Sequence, residues 1–199
     1  MSDPRATPAA GRRSLVTAGY GEVVTTAPAE HAHNGSSLFA DPVAWLMAEA
    51  VARAVEDCAV DLAAVRDHVG MVAISDVCTL DTMRTIARAT PRGRLSPLKF
   101  AGANPGSVAG LPCIRNGFRG PTLTLSMPPE AALPAALAMA EGWIARGSAR
   151  LVLVGTHRRD GDAHSARCYV LQSSTAPDPC PEPDLKRLTA PVHAAAADL

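Results

Sequence analysis

The residues able to do chemistry in this chain fall in two stretches. From Gly120 to Gly155 a strand, a sharp turn and an apolar helix follow one another. Enzymes raise a serine or cysteine at such a turn, because the first N–H groups of the helix and its dipole stabilise a thiolate or an oxyanion. Here the turn reads Met127-Pro128-Pro129 and the helix opens on Glu130. Proline supplies neither a nucleophile nor a backbone donor, so two in succession remove both. Glu130 stands as a candidate general base, but the helix dipole alone favours a carboxylate there by about 0.3 to 1 kcal/mol, and capping is the stronger reading.

The second stretch holds His157, Arg158, Arg159, Asp160, Asp162 and His164, the densest polar cluster of the chain. It offers an acid–base set, with His157 and His164 as candidates, or an electrostatic contact. Charged turns are common, however, and a solvated hairpin tip is the expected arrangement. His31 and His33 lack the further Cys or carboxylate ligands that a metal site requires, so no metal is expected. Cys78 and Cys113 show no strand-to-helix turn with a neighbouring base and read as small core residues.

These groups have to be positioned by the elements around them. Thr122 to Ser126 alternates like a strand, Glu130 to Ala145 follows as a helix with Pro134 assigned to its first turn, and Arg150 to Gly155 reads as a buried strand. Before them, Ser14 to Ala18 and Glu22 to Thr26 form two short strands or one bent strand about Gly19-Tyr20-Gly21. Asp41-Pro42 gives an N-cap and first turn to an amphipathic surface helix, Val43 to Cys58. Val69 to Ser75 is a strand apolar on both faces, Asp81 to Ala89 a short helix, Pro91 to Pro97 a loop, and Asn104-Pro105 opens an irregular helix ending near Gly117. Asp160-Gly161 turns the chain into a last strand, Ala166 to Gln172. Alternating strands and helices imply an α/β domain, its sheet largely parallel with the last strand as an antiparallel edge. Residues 1–11 are expected to be disordered, 12–172 to form the domain, and 173–199, rich in Pro and Ala, to be a mobile tail.

The helix from Glu130 is apolar on every side, with Leu133, Leu137, Met139 and Trp143 among its large residues. One sheet can cover only one side of such a helix. Pro134, Glu141 and Gly142 interrupt it too early for a span of about 20 residues, so it is no membrane helix. These four large residues are therefore the expected interface to another surface. Formal net charge is zero and aromatic content 4%, which excludes a basic nucleic-acid or membrane-surface patch and leaves few stacking platforms. Five cysteines without a CxxC pair, and a polar N-terminus without an apolar stretch, suggest a cytoplasmic chain with reduced thiols.

Taken in order, several stretches resemble the N-terminal half of the β-ketoacyl synthases, members of the thiolase-like superfamily. Arg12 to Gly21 is similar to their opening strand, and Val43 to Cys58 with Val69-Gly70-Met71-Val72 to their first helix and second strand. Asn104-Pro105 with Ala109-Gly110 resembles their buried Asn-containing helix. Arg119 to Thr124 resembles the strand before their catalytic cysteine, and Arg146 to Gly155 the exit of the nucleophile helix into the next strand. The likeness covers roughly Arg12 to Gln172 without a break in order.

The resemblance implies one half of a thiolase-like fold, with a mixed, mostly parallel sheet and a buried central helix. It places the family's nucleophile position at Pro129 or Glu130, where no cysteine stands. The family's two histidines belong to a second, homologous half that this sequence does not reach. Chain-length-factor subunits of type II polyketide synthases are similar in lacking the cysteine and acting by pairing with a ketosynthase, although this chain is about half their size. The expected function is therefore a non-condensing, ketosynthase-like subunit of polyketide or fatty-acyl biosynthesis, a pseudoenzyme that serves acyl carrier-linked chemistry as a structural or specificity partner. Its partner is a ketosynthase or a second copy, with an acyl carrier protein as a further contact, and no cofactor is implied. The competing expectation is a small enzyme on an acyl thioester, for cyclisation, isomerisation or hydrolysis, with Glu130, His157 or His164 as acid or base.

Overall fold

A computed structural model describes residues 15–32, 40–93, 96–174 and 183–192. Its strands are β1 (Leu15–Thr25), β2 (Val69–Ser75), β3 (Thr122–Leu125), β4 (Leu151–Asp160) and β5 (Ala163–Ser173). The helices are α1 (Pro42–Glu56), α2 (Leu80–Ala89), α3 (Pro97–Gly102), α4 (Ser107–Asn116), α5 (Pro129–Ala145) and α6 (Lys186–Thr189). The strands form one sheet in the order β1-β5-β4-β2-β3. β2 pairs in parallel with β3 and β4, while β5 is antiparallel to both β1 and β4. The sheet is thus mixed, with four strands running one way.

The last strand was expected at an edge and is instead inserted between β1 and β4. A two-residue turn after β4, with Gly161 at φ +60°, returns the chain at once to pair with its neighbour, and β1 then closes the outer side of β5. β1 is one strand, bulged between Thr17 and Gly19, which settles the choice between one strand and two. Its glycines are required by close packing: a Cβ at Gly19 would meet the Ala54 carbonyl oxygen, and one at Gly21 that of Ala50, both on α1.

Alternation along the strands divides the core between two faces. Met71, Ala73, Leu153, Cys168 and Val170 meet α1 and α4 on one side. Val72, Ile74, Val152, Val154, Tyr169 and Leu171 meet α5 and α6 on the other. Asp41 caps α1 through its bond from Val43 N–H, as its position before Pro42 predicts. α1 is less a surface helix than its pattern suggests. Residues Val43 to Ala48 are all buried, since α4 packs on the side that the sheet leaves open, and Ala44, Trp45, Ala48 and Leu111 form a small core of their own.

Three further expectations need correction. Pro134 lies in the second turn of α5, where its ring faces outward and the helix simply does without that N–H. The stretch from Pro91 to Pro97 holds a short 3-10 turn, Thr90–Arg92, and leads into the unforeseen helix α3, capped by Ser96. Residues 183–192, expected in a mobile tail, are docked. Leu188 is 1% exposed within the α5-side core, and Thr156, Arg158 and Arg167 donate hydrogen bonds to the carbonyls of Leu188, Thr189 and Ala190. Residues 1–11 and His33 lie outside the described residues.

Candidate functional site

The turn into α5 was expected to present the family's nucleophile position, and its geometry is that of a plain helix start. Pro128 is the N-cap without a side-chain hydrogen bond, and Pro129 is the first helical residue and buried. Glu130 neither caps nor stands free as a base, because its carboxylate pairs with Arg158 of β4. Arg158 also donates to the Thr189 carbonyl at 3.3 Å, so this ion pair fastens α5, β4 and the C-terminal segment together.

The large residues of α5 divide by face. Leu133 and Trp143, expected at an interface, are buried in the chain's own core, since that side of the helix lies on the sheet. Leu137 is half-buried against the same core, and Met139 is 37% exposed. The outward face carries Ala131, Pro134, Ala135, Ala138 and Met139, all exposed. It is largely apolar, with small residues around Met139 and the carboxylate of exposed Glu141 at its edge.

The polar cluster of the β4–β5 hairpin departs further from expectation. Its tip, Gly161-Asp162, is solvated, but His157 and His164 belong to the paired strands and are 0% and 4% exposed. In register, His157 lies beside Ser75 on β2, and inward parity puts Ser75, His157 and His164 on the α1 side of the sheet. They form a row across β2, β4 and β5, with Ser75 Oγ 3.0 Å from His157 Nδ1 and His157 Nε2 3.0 Å from His164 Nδ1. Cys78 N–H donates to Ser75 Oγ at 2.9 Å. The assignment that uses every polar hydrogen sends the Ser75 hydroxyl hydrogen to His157 Nδ1 and the His157 Nε2 hydrogen to His164 Nδ1.

Burial, with the neighbouring His164 and Arg159 as further causes, depresses the His157 pKa from its ordinary 6.5 to about 3. His164 is also lowered, again chiefly by burial, against which Asp81, Asp41 and Asp162 pull upward. The row is therefore neutral at physiological pH and can pass a proton only by relay. Asp41, just ahead of α1, adds a negative charge that acts on His164. Fully buried, it accepts from Val43 N–H and from Thr82 N–H of α2, and burial raises its pKa.

Cys78 joins this row in a way its sequence context hid. It stands in the turn between β2 and α2 with φ at +40°, the one non-glycine positive φ among the described residues. Its Sγ donates to the Ser75 carbonyl at 3.1 Å and lies 3.3 Å from Ser126 Oγ, just past β3. Thr79 Oγ1 donates to the Ala103 carbonyl at 2.7 Å and pins the other side of the turn. Cys113, by contrast, is a buried core thiol, pushed up to about 11 by desolvation, as its sequence reading implied. Sequence reasoning missed Ser75 and Ser126, and it weighed Cys78 only to read it as a small core residue. A usable signal was present: strands otherwise apolar at inward positions end in Ser75 and His157, and buried polar groups of that kind require partners.

A groove of about 460 Å³ runs between α3 and α4, lined by Ala40, Leu98, Asn104, Ser107, Leu111 and Ile114 among others. No group of three potential metal ligands exists among the described residues, and no helix among them is long and apolar enough to cross a membrane.

Comparison with known proteins finds no matching family model and no matching curated protein. Solved structures do match. One described as the ishigamide ketosynthase/chain length factor superposes with a TM-score of 0.65 at 14% identity, covering 84% of this chain and 64% of that one. A type II polyketide synthase acyl-carrier protein in complex with its ketosynthase, AntDE:AntF, gives 0.63 at 15%, covering 82% and 63%. A ketosynthase in complex with its chain length factor from Xenorhabdus doucetiae gives 0.58 at 12%, covering 80% and 79%. The chain spans a little under two thirds of the first two of these proteins. At such identities the likeness is one of fold, and the fold of this chain is that of the ketosynthase and chain-length-factor proteins, over a part of their length.

Proposed function

We propose that this chain is a non-condensing, ketosynthase-like subunit of polyketide or fatty-acyl biosynthesis, which acts in the cytoplasm as a structural or specificity partner for acyl carrier-linked chemistry. The observation that carries this reading is the α5 turn. On a ketosynthase-type sheet, the helix start that the sequence resemblance aligns with the family's nucleophile position is built from Pro128, Pro129 and an ion-paired Glu130, while the outward face of the same helix is largely apolar and exposed. A face of that kind marks an interaction surface. The solved relatives in fold include ketosynthases in complex with chain length factors and with an acyl-carrier protein, which favours the same two classes of partner here.

The test is co-expression with type II ketosynthases followed by size exclusion and native mass measurement. A stoichiometric complex that retains the chain, and loses it when Ala138 and Met139 are both changed to Glu, is the expected result. A chain that elutes alone in the presence of every ketosynthase and carrier protein tried would overturn the reading. In the competing enzyme reading, Glu130, His157 or His164 supplies the acid–base work. The ion pair of Glu130 with Arg158, on the α5 side of the sheet, separates it from the two histidines on the α1 side.

A further inference from the structure

The formal net charge of zero is unevenly placed on the molecule. From Leu80 to Asn116 the described residues hold one carboxylate, Asp81, against Arg84, Arg88, Arg92, Lys99 and Arg115. Asp81 is already engaged, 3.4 Å from Arg84 and 3.9 Å from Arg159 of β4. Arg88, Arg92 and Lys99 are exposed and form no ion pair among the described residues. Like charges gathered on a surface without counter-charges attract a partner of opposite sign.

The same surface is apolar to an unusual degree. No residue of α2 is buried, yet its sides follow helical spacing. Thr82, Ile86 and Ala89 make its half-buried side, whereas Leu80, Met83 and Ala87 form an exposed apolar stripe with Arg84 and Arg88 as a basic stripe beside it. α3 contributes Phe100, 69% exposed. Leu98 of α3 and Ile114 of α4, 58% and 75% exposed, stand on the two walls of the groove of about 460 Å³ between these helices. Gly110 lines that groove, and a Cβ there would meet nothing within 4 Å. The Ser107 hydroxyl, on a residue that also lines the groove, is without a hydrogen-bond partner among the described residues, and a buried group of that kind calls for one.

Shape decides among the occupants. Walls this exposed do not enclose a small molecule, whose sites bury about 70 to 90% of the ligand. A bilayer presents a broad surface, which reaches the protruding Leu98, Phe100 and Ile114 and leaves the groove between them empty. A helix fits both features, because its apolar side chains at i, i+3, i+4 and i+7 enter a groove while carboxylates on its flanks meet the basic rim.

We propose that α2, α3 and α4 form a docking surface for an acidic amphipathic helix of a partner protein. The apolar stripe of that helix sits between Leu98 and Ile114, and its carboxylates face Arg88, Arg92 and Lys99. The uncompensated cations speed encounter and select the sign of the partner's charge, and the groove fixes its register. α4 packs on the face of the sheet opposite to α5, so this contact is separate from the outward face of α5. The inference goes beyond the ketosynthase contact and does not depend on it.

The test uses the full chain and three synthetic peptides of about 18 residues, long enough to be helical. All share one spacing of apolar and polar positions. The first has Leu on the apolar face and Glu on the polar face, the second Leu and Lys, and the third Gln and Glu. Binding is read by fluorescence anisotropy. The Leu/Glu peptide is expected to bind at least about tenfold more tightly than either of the others and to weaken severalfold as salt is raised. In the variant Arg88→Glu with Arg92→Glu the preference should reverse, so that the Leu/Lys peptide binds more tightly than the Leu/Glu one. Gly110→Leu, which places a side chain in the open groove, should abolish binding of both, with circular dichroism confirming that the fold is kept. Equal affinity for the two leucine peptides, an unchanged preference after charge reversal, or no binding of the Leu/Glu peptide at about 100 μM overturns the proposal. Co-sedimentation with phosphatidylglycerol vesicles, without binding of the Leu/Glu peptide, would overturn it in favour of a membrane surface. Ala138→Glu with Met139→Glu is expected to bind the Leu/Glu peptide as wild type does, and Arg88→Glu with Arg92→Glu to keep the ketosynthase complex. Failure of the docking surface and failure of the partner role are therefore read separately.

Discussion

His157 has its two ring nitrogens engaged and no exposed surface, and its neutrality has a consequence for pH. Its folded pKa, about 3, lies below the unfolded value near 6.5, so at acid pH the unfolded chain binds the proton and the folded one does not. The stability it protects is fully present above pH 6.5 and is lost as pH falls from there towards 3, at up to about 1.4 kcal/mol per pH unit for one proton. The depressed His164 acts in the same direction. Thermal unfolding followed from pH 8 to pH 4 is expected to show the melting temperature falling below pH 6.5. In His157→Asn the slope should flatten, with a loss of about 1 to 3 kcal/mol at pH 8 from the broken row. An equal acid slope in wild type and variant would refute the assignment. That His157 and His164 meet was not legible beforehand, because their spacing fits a turn as well as a paired hairpin. Only the two-residue length of the Gly161-Asp162 turn puts both on inward positions.

At the level of elements, the C-terminal segment behaves as part of the domain. Arg167, nearly buried, bonds the Ala190 carbonyl and pairs with Glu22 at 2.6 Å, and Arg187 stacks over Tyr20 at 4.2 Å, so β1, β5 and residues 183–192 share one polar lock. Desolvation pushes Glu22 up, but the bond from Arg167 and that from Tyr20 outweigh it and leave its pKa lowered. Leu188→Ala is expected to cost about 2 to 5 kcal/mol in a denaturant titration, as a buried leucine does. A change of less than about 0.5 kcal/mol would show that the segment is undocked in solution. A second test concerns β1 against α1: Gly21→Ala, which drives a methyl group into the α1 backbone, should destabilise by more than 2 kcal/mol, whereas the open Gly110→Ala should not. The strands, α1, α2 and α5 were readable because their periods and caps are local properties of the chain. The docking of 183–192 was hidden because its Pro- and Ala-rich composition says nothing of the arginines that receive its carbonyls.

For the whole molecule, the open question is what covers the outward face of α5. Light scattering behind size exclusion at several concentrations is expected to give masses above the 20.6 kDa of one chain, reduced to that value by Met139→Glu. A well-behaved monomer at every concentration would sink the claim that this face needs a second chain. By itself the sequence determined the α/β class, the order of the five strands and of α1, α2, α4 and α5, the proline-filled turn ahead of α5 and the all-apolar character of that helix, since these follow from local pattern and from residue chemistry. It also carried the resemblance to ketosynthases, which the fold bears out. Tertiary structure alone decided which side of α5 is spent on the chain's own core, where β5 inserts in the sheet, and that Ser75, Cys78, Ser126, His157 and His164 converge. Convergence depends on strand register and on connections that leave the sheet to opposite faces, and neither is written in the spacing of residues along the chain.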